Sequence, residues 1–171
     1  MSVTPNVSIP VGVVLERSKT EGRWSDTIWK AVGILTGVPA TPAWTKLSGD
    51  DERATFYAGA ADVELHRAET ANYRDNLATG APLLWVALRP THEDPPFNLA
   101  VVTADPAEAE AMAAIGDALV DSIEMPQEIR DALEAFVAKH HVERAFVKRK
   151  RDRADPEALG RHAPSRDEQN S

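Results

Sequence analysis

The stretch from Val63 to Leu77, VELHRAETANYRDNL, brings together several side chains that could do chemistry. Alternation along a strand places Val63 and Leu65 on one face and Glu64 and His66 on the other. A histidine held by a neighbouring carboxylate exchanges its proton near neutral pH, so Glu64 and His66 form a candidate acid–base pair. The competing interpretation is a surface charge ladder beside a capping turn.

A second candidate site lies where a short helix is expected to begin. Thr70 is an ordinary N-cap residue, with Arg67 before it and Arg74 one turn later. Free N–H groups at a helix N-terminus, together with these arginines, could hold an anion. A threonine that only caps the helix explains the same residues.

The sequence predicts no metal site. His140 and His141 are neighbours on a predicted helix, where adjacent side chains point about 100° apart, so their rings do not converge on one ion. We expect one ring to face the core and the other to lie near the helix C-terminus, where the macrodipole favours a protonated imidazole. The chain has no cysteine, which excludes disulfides, iron–sulfur ligation and thiol nucleophiles.

A basic run near the C-terminus is the strongest local charge feature. Its residues are Lys148, Arg149, Lys150 and Arg151. Such a run is typical of a solvated tail, and residues 148–171 are predicted to be charged and disordered. If it contacts a partner, it steers association with an acidic protein or an anionic surface. Trp24, in a polar turn, and His141 are further candidate partner or anion contacts.

Composition limits the class of protein. The 171 residues carry a net charge of −8, and residues 1–144 hold 12 Lys and Arg against 22 Asp and Glu. This acidic body is a poor surface for nucleic-acid phosphates, so no nucleic-acid partner is expected. No apolar run approaches the roughly 20 residues of a membrane span. The N-terminus shows no basic and apolar signal pattern, and we expect a cytoplasmic chain.

The elements that must position these residues indicate one α+β domain over residues 11–147, after a flexible N-terminus of residues 1–10. Short connections favour a mainly antiparallel, twisted or barrel-like sheet of about six to seven strands. The candidate strands are Val11–Ser18, Ile28–Gly37, a short segment from Trp44, Arg53–Ala58, Asp62–Arg67, Pro82–Pro90, Phe97–Ala104 and Ala118–Met125. Three helices are predicted, from Thr70 to Gly80, from Asp105 to Gly116 and, as the longest, about Gln127–Glu143.

The sequence motifs that are typical of several common enzyme families are missing. The chain contains no G-x-x-x-x-G-K-[ST], G-x-G-x-x-G, H-E-x-x-H or G-x-S-x-G motif. Its nine glycines are scattered among turns and form no loop that could cradle a phosphate. We therefore predict no catalytic residue and no bound cofactor, and we favour a non-enzymatic role over an enzymatic one.

Three separated stretches carry a resemblance to a known family. VGVVLERS followed by a tryptophan, ELHRAETANYRDNL, and AFVAKHHVERAFVKRKR resemble the proteobacterial domain of unknown function 3305 family over residues 11–151. Members are typically encoded beside molybdenum-dependent formate dehydrogenase subunits and their accessory factors. Some members are named molybdopterin-guanine dinucleotide biosynthesis protein A, but guanylyl transferases of that cofactor carry a Gly-rich loop where this chain has KTEGRWSD.

The resemblance implies a recognition or architectural corner. It would be a polar cluster positioned by Tyr73 and Asn76 and formed by Glu64, His66, Arg67 and Glu69. The implied function is that of a non-catalytic accessory protein, which contacts a formate dehydrogenase subunit or another maturation factor during cofactor insertion.

Two alternatives stay open. One is an enzyme or carrier of the pterin nucleotide, whose phosphates would be held by Arg67, Arg74 and the basic run of residues 148–151. The other is a structural module of a larger complex.

Overall fold

The computed structural model of the chain describes residues 4–21 and 26–141, which hold seven strands and three α-helices. The strands are β1 (Val7–Lys19), β2 (Thr27–Thr36), β3 (Thr45–Gly49), β4 (Arg53–Leu65), β5 (Leu83–Pro90), β6 (Phe97–Thr103) and β7 (Leu119–Glu124). The helices are α1 (Thr70–Ala78), α2 (Pro106–Ile115) and α3 (Gln127–His140). The predicted α+β class is confirmed. None of the described helices is long and apolar enough to cross a bilayer.

The strands form two antiparallel sheets. One sheet has the order β2-β1-β4-β3 and the other the order β6-β5-β7. Strand β4 also runs beside β6, and β2 beside β7, but no backbone ladder joins the sheets. The arrangement is therefore an open structure with two seams, which we call the β4–β6 seam and the β2–β7 seam.

Both sheets contribute to one hydrophobic core. Val13 and Leu15 of β1 and Leu84 of β5 are completely buried, as expected where every second residue of a strand is apolar. The predicted apolar face of α3 also lies in this core, where Leu133 is fully buried. Phe136 of α3 meets the ring of Tyr73 edge-on, with centroids 6.0 Å apart.

A group of four aromatic rings packs against the core, and we call it the aromatic end. Trp29 is at its centre, with ring centroids 5.9 Å from Trp44, 5.5 Å from Phe56 and 6.1 Å from Phe97. All four side chains are partly exposed. The rings come from β2, β4, β6 and the residue before β3, so the aromatic end ties the two sheets together.

A side chain bridges the β2–β7 seam. The backbone N–H of Ala31 donates a hydrogen bond of 2.7 Å to Oδ2 of Asp121. The register between β1 and β2 shifts at Val14/Leu15, which leaves Val32 as the extra residue of a bulge. Ala31 itself is in register with Leu15 of β1, and β2 is the edge strand of its sheet, so the Asp121 carboxylate satisfies this N–H from the β7 side.

Two predicted boundaries in the first sheet are wrong. The segments Arg53–Ala58 and Asp62–Arg67 form the single strand β4, because Gly59 stays within the strand at a φ of 122° and the break is only a register shift opposite Val13/Val14. Strand β1 begins at Val7 instead of Val11, since Val7 pairs with Leu65 across the ladder.

The helix starts and ends are partly as predicted. Asp105 caps α2 by accepting from the N–H groups of Ala107 and Glu108, as expected. Thr70 is not an N-cap: a 3₁₀ turn over Arg67–Glu69 leads directly into α1, so Thr70 already has helical dihedral angles. The longest helix ends at His140 instead of Glu143, because His141 is extended.

Candidate functional site

The predicted Glu64–His66 pair is present at the end of β4. Glu64 Oε2 lies 3.5 Å from His66 Nε2, with 54% of the Glu64 side chain and 24% of the His66 side chain exposed. The two residues share the outward face of the strand, while Val63 and Leu65 are buried. The alternation predicted for this stretch is therefore confirmed.

The pair lines a groove along the β4–β6 seam. The groove has a volume of about 340 Å³. Its polar walls, which we call the carboxylate groove, are formed by Asp62 and Glu64 of β4, His66 directly after β4, Thr103 of β6 and Glu108 of α2. Thr103 Oγ1 donates to Glu108 Oε2 at 2.9 Å, which fixes one wall. The walls of the groove carry three carboxylates and one imidazole, and this excess of acidic side chains attracts cationic side chains.

Tyr73 anchors this part of the chain to the core. Its phenolic oxygen accepts a hydrogen bond of 3.0 Å from the backbone N–H of His66, and only 1% of the residue is exposed. Burial raises the pKa of Tyr73 to about 12, and nearby carboxylates, foremost Asp105, add to the shift. The hydrogen bond from His66 opposes it. Tyr73 therefore stays a neutral, structural phenol at physiological pH.

A chain of hydrogen bonds, which we call the helix corner, links α1 to the end of α3. Arg74 Nη1 lies 3.1 Å from His141 Nε2, and His141 Nδ1 lies 3.2 Å from Thr70 Oγ1. Thr70 Oγ1 donates in turn to the carbonyl of Arg67 at 3.3 Å. Since the guanidinium can only donate, the geometry fits a neutral His141 that carries its proton on Nδ1. The Thr70 hydroxyl is thus engaged inside the protein.

Asn76 joins separate segments of the chain through buried hydrogen bonds. Its amide nitrogen donates to the carbonyls of Leu83 and Ala104, at 2.8 and 3.0 Å, and its amide oxygen accepts from the N–H of Leu83 at 3.0 Å. Only 4% of the residue is exposed. Both donor hydrogens are used, so Asn76 holds α1 against β5 and the end of β6.

The remaining predicted residues do not join one cluster. Glu69 accepts a hydrogen bond of 3.0 Å from the side chain of Asn72. Arg67 is exposed, and its backbone N–H donates to Asn6 at 2.8 Å. The polar residues of the opening motif therefore do not form one cluster: some line the carboxylate groove, some form the helix corner, Tyr73 and Asn76 are buried, and the side chains of Arg67 and Glu69 belong to none of these groups.

The histidine pair and the outlying predictions have different outcomes. His140 packs against Phe136, with ring centroids 4.6 Å apart, while His141 turns to the helix corner. In the part of the chain that the structure describes, no three His, Asp or Glu side chains are grouped to hold a metal. Trp24 and the basic run, Lys148, Arg149, Lys150 and Arg151, lie outside the described residues.

Sequence reasoning missed two carboxylates of the groove. Asp62 stands two positions before Glu64, so the alternation that selected Glu64 and His66 also places Asp62 on their face. Glu108 has no such signal, because it reaches the groove only through the approach of β6 and α2 to β4.

Comparison with known proteins agrees with the motifs. The sequence profile of a family described as "Protein of unknown function (DUF3305)" matches residues 10–150. This chain belongs to the DUF3305 family. No curated protein and no solved structure matched it. Because the DUF3305 match runs from within β1 to beyond α3, the carboxylate groove and the helix corner both lie within the family region.

Proposed function

We propose that this DUF3305 protein is a non-catalytic accessory protein that acts by protein–protein contact during maturation of a molybdenum-dependent formate dehydrogenase. Its partner is a dehydrogenase subunit or another maturation factor. The choice of partner rests on the family resemblance of the three motifs, and the mode of action rests on the structure.

The observation that carries the mode of action is the internal use of the polar motif. The side-chain hydrogen bonds of Tyr73, Asn76 and Thr70 are made with the backbone or with other side chains of the same chain. Groups held in this way stiffen a scaffold. They are not directed at a common point where a substrate atom would sit, which is the geometry that acid–base or nucleophilic catalysis requires.

The carboxylate groove is the surface on which we place the contact. Asp62, Glu64 and Glu108 lie on its walls, and Glu64 and Glu108 are exposed. Acidic surfaces attract partners with clustered Lys or Arg and accelerate their association, most strongly at low ionic strength. Strand β4 carries two of the three carboxylates and the first turn of α2 carries the third, so regular secondary structure holds all three.

Affinity purification of a tagged chain from its own cells tests the proposal. We expect a formate dehydrogenase subunit or maturation factor to co-purify at low salt and to be lost as the salt concentration rises, as for a contact between charged surfaces. A variant with Asp62→Asn, Glu64→Gln and Glu108→Gln should recover clearly less of that partner.

A matched control removes the same number of charges elsewhere. Glu128→Gln, Asp131→Asn and Glu134→Gln neutralise the exposed face of α3, and recovery should then equal that of the wild-type chain. Recovery of no dehydrogenase component by any of the three proteins contradicts the proposal. A large thermal shift with GTP or molybdopterin guanine dinucleotide would instead favour the nucleotide alternative, since a ligand at 100 times its Kd stabilises a protein by about 2.7 kcal/mol.

A further inference from the structure

Strand β4 has a free edge in its second half. Strand β1 pairs with β4 as far as Leu65, whereas β3 pairs only with the segment from Ala54 to Tyr57. Strand β6 runs beside the second half of β4, but among the described residues no ladder joins these two strands. The side of β4 that faces away from β1 is therefore an unpaired strand edge from Ala60 onward.

Two hydrogen bonds show which backbone groups lie on this edge. The N–H of His66 and the carbonyl of Glu64 both meet the hydroxyl of Tyr73, at 3.0 and 3.5 Å. Tyr73 belongs to α1, so these backbone groups point away from β1. Because backbone groups alternate between the two sides of a strand, the N–H and carbonyl of Asp62 point the same way as those of Glu64, toward the β4–β6 seam.

Acidic side chains stand along the same edge. Asp62 and Glu64 are exposed, and the two-residue repeat of a strand places them about 7 Å apart on one face. Glu108 adds a third carboxylate to the groove, which has a volume of about 340 Å³. A segment bound in the carboxylate groove therefore meets unpaired strand backbone and carboxylates together.

The charge of this edge limits what can pair with it. Charged side chains on a strand edge commonly prevent edge-to-edge association. Here they are negative and the whole chain carries −8, so the edge repels a second copy of this chain. The same carboxylates attract a strand with cationic side chains, so repulsion and attraction together favour a basic partner.

An extended segment fits this edge better than a helix does. The N–H and carbonyl groups of an α-helix are already paired within the helix, so they cannot pair with β4. Side chains on one face of a helix recur every three or four residues, whereas those of a strand recur every second residue, as Asp62 and Glu64 do.

We propose that the partner enters the carboxylate groove as an extended strand with Lys or Arg at every second position. Its backbone pairs with the free edge of β4, and its cationic side chains meet Asp62, Glu64 and Glu108. The inference rests on the proposed function, since it takes the carboxylate groove as the contact surface. It adds the conformation and the sequence pattern of the partner segment.

Two short peptides and the full chain test the sequence pattern. The peptide TKVKVKT has lysine at every second position, and TVKKKVT has the same composition with its lysines in one block. In titration calorimetry at low salt, we expect TKVKVKT to bind about threefold to fivefold more tightly, the scale of one exposed ion pair, because it directs all three lysines to one face. The variant that neutralises Asp62, Glu64 and Glu108 should lose this preference, and the α3 control variant should keep it.

Hydrogen exchange tests the pairing of the backbone. The N–H of Asp62 points toward the β4–β6 seam, so it should exchange more slowly when TKVKVKT is bound. The N–H of Val63 lies on the β1 side, where Val63 is in register with Ile9, and its exchange should not change. Both amides belong to the unmodified chain, so this measurement does not depend on the folding of a variant.

The outcomes separate this inference from the proposed function. Equal binding of the two peptides, binding of neither, or unchanged exchange at Asp62 would each overturn the inference. Self-association that is lost when Asp62, Glu64 and Glu108 are neutralised would also overturn it, because the occupant of the edge would then be a second copy. A dehydrogenase component that still co-purifies in those cases supports the proposed function alone. Peptide preference and slowed exchange without any co-purifying dehydrogenase component would support the inference and contradict the proposed function.

Discussion

The phenolic oxygen of Tyr73 lies 3.0 Å from the backbone nitrogen of His66 and accepts its N–H. This bond joins the end of β4 to the buried face of α1, so the Glu64–His66 pair is held by the core and not by solvent-exposed contacts. The stretch from Val63 to Leu77 therefore provides buried contacts that hold the carboxylate groove in place.

The alkaline stability of the protein should depend on Tyr73. Burial raises the pKa of Tyr73 to about 12, whereas an unfolded tyrosine ionises near 10.0. Its contribution to the free energy of unfolding is complete below pH 10 and is lost as the pH rises through about 12, because the unfolded chain ionises first. Titration of tyrosinate absorbance, with folding followed by circular dichroism, measures this.

Tyr73→Phe serves as the reference for that titration. The variant should lack the late ionisation and the associated loss of stability above pH 10. It should also be less stable at neutral pH by about 1–2 kcal/mol, because the N–H of His66 loses its acceptor. Ionisation of Tyr73 near pH 10 in the folded wild-type chain would show that the phenol is not buried as described.

Asn76→Ala should be strongly destabilising. The substitution leaves the carbonyls of Leu83 and Ala104 and the N–H of Leu83 without their side-chain partner. We expect a loss of about 2–4 kcal/mol in urea unfolding, the range for a broken buried network. Asn98→Ala on the exposed side of β6 is the control and should change stability by less than about 0.5 kcal/mol. Equal effects of the two substitutions would show that the hydrogen bonds of Asn76 do not stabilise the fold.

Asp121 should protect the edge of β2. In Asp121→Ala the N–H of Ala31 loses its acceptor, and we expect about 1–2 kcal/mol of destabilisation and faster hydrogen exchange at that amide. Asp121→Asn keeps a side-chain oxygen and should cost less. Unchanged exchange at Ala31 in Asp121→Ala would show that the carboxylate does not hold the seam.

The helix corner predicts the tautomer of one histidine. Neutral His141 should carry its proton on Nδ1, because Nε2 faces the donor group of Arg74. Nitrogen-15 NMR of the imidazole distinguishes the two tautomers, and Arg74→Met should shift the population toward the Nε2–H form. A wild-type His141 already in the Nε2–H form would contradict the hydrogen-bond chain.

Local patterns in the sequence predicted most elements of the fold. Asp105 and Gly116 correctly bounded α2, and alternation correctly separated Glu64 and His66 from the buried Val63 and Leu65. Patterns of this kind depend on neighbours within one turn or two strand positions. The structure that these patterns predict therefore does not depend on contacts with distant parts of the chain.

Features that depend on distant contacts were not predictable. Gly59 lies among small residues and resembles a turn, but pairing with β1 keeps β4 continuous through it. The hydrogen bonds of His141 with Thr70 and Arg74 join residues about 70 positions apart, and Glu108 reaches the carboxylate groove across the β4–β6 seam. The spacing of residues within one strand or helix gives no signal for such contacts.

The proposed role in maturation can be measured as formate dehydrogenase activity in a strain that lacks this DUF3305 protein. We predict that the dehydrogenase subunits still accumulate but show little activity, and that activity returns with the wild-type chain or the α3 control variant but not with the variant that neutralises Asp62, Glu64 and Glu108. Activity equal to that of the parent strain in the absence of the protein would contradict a role in maturation.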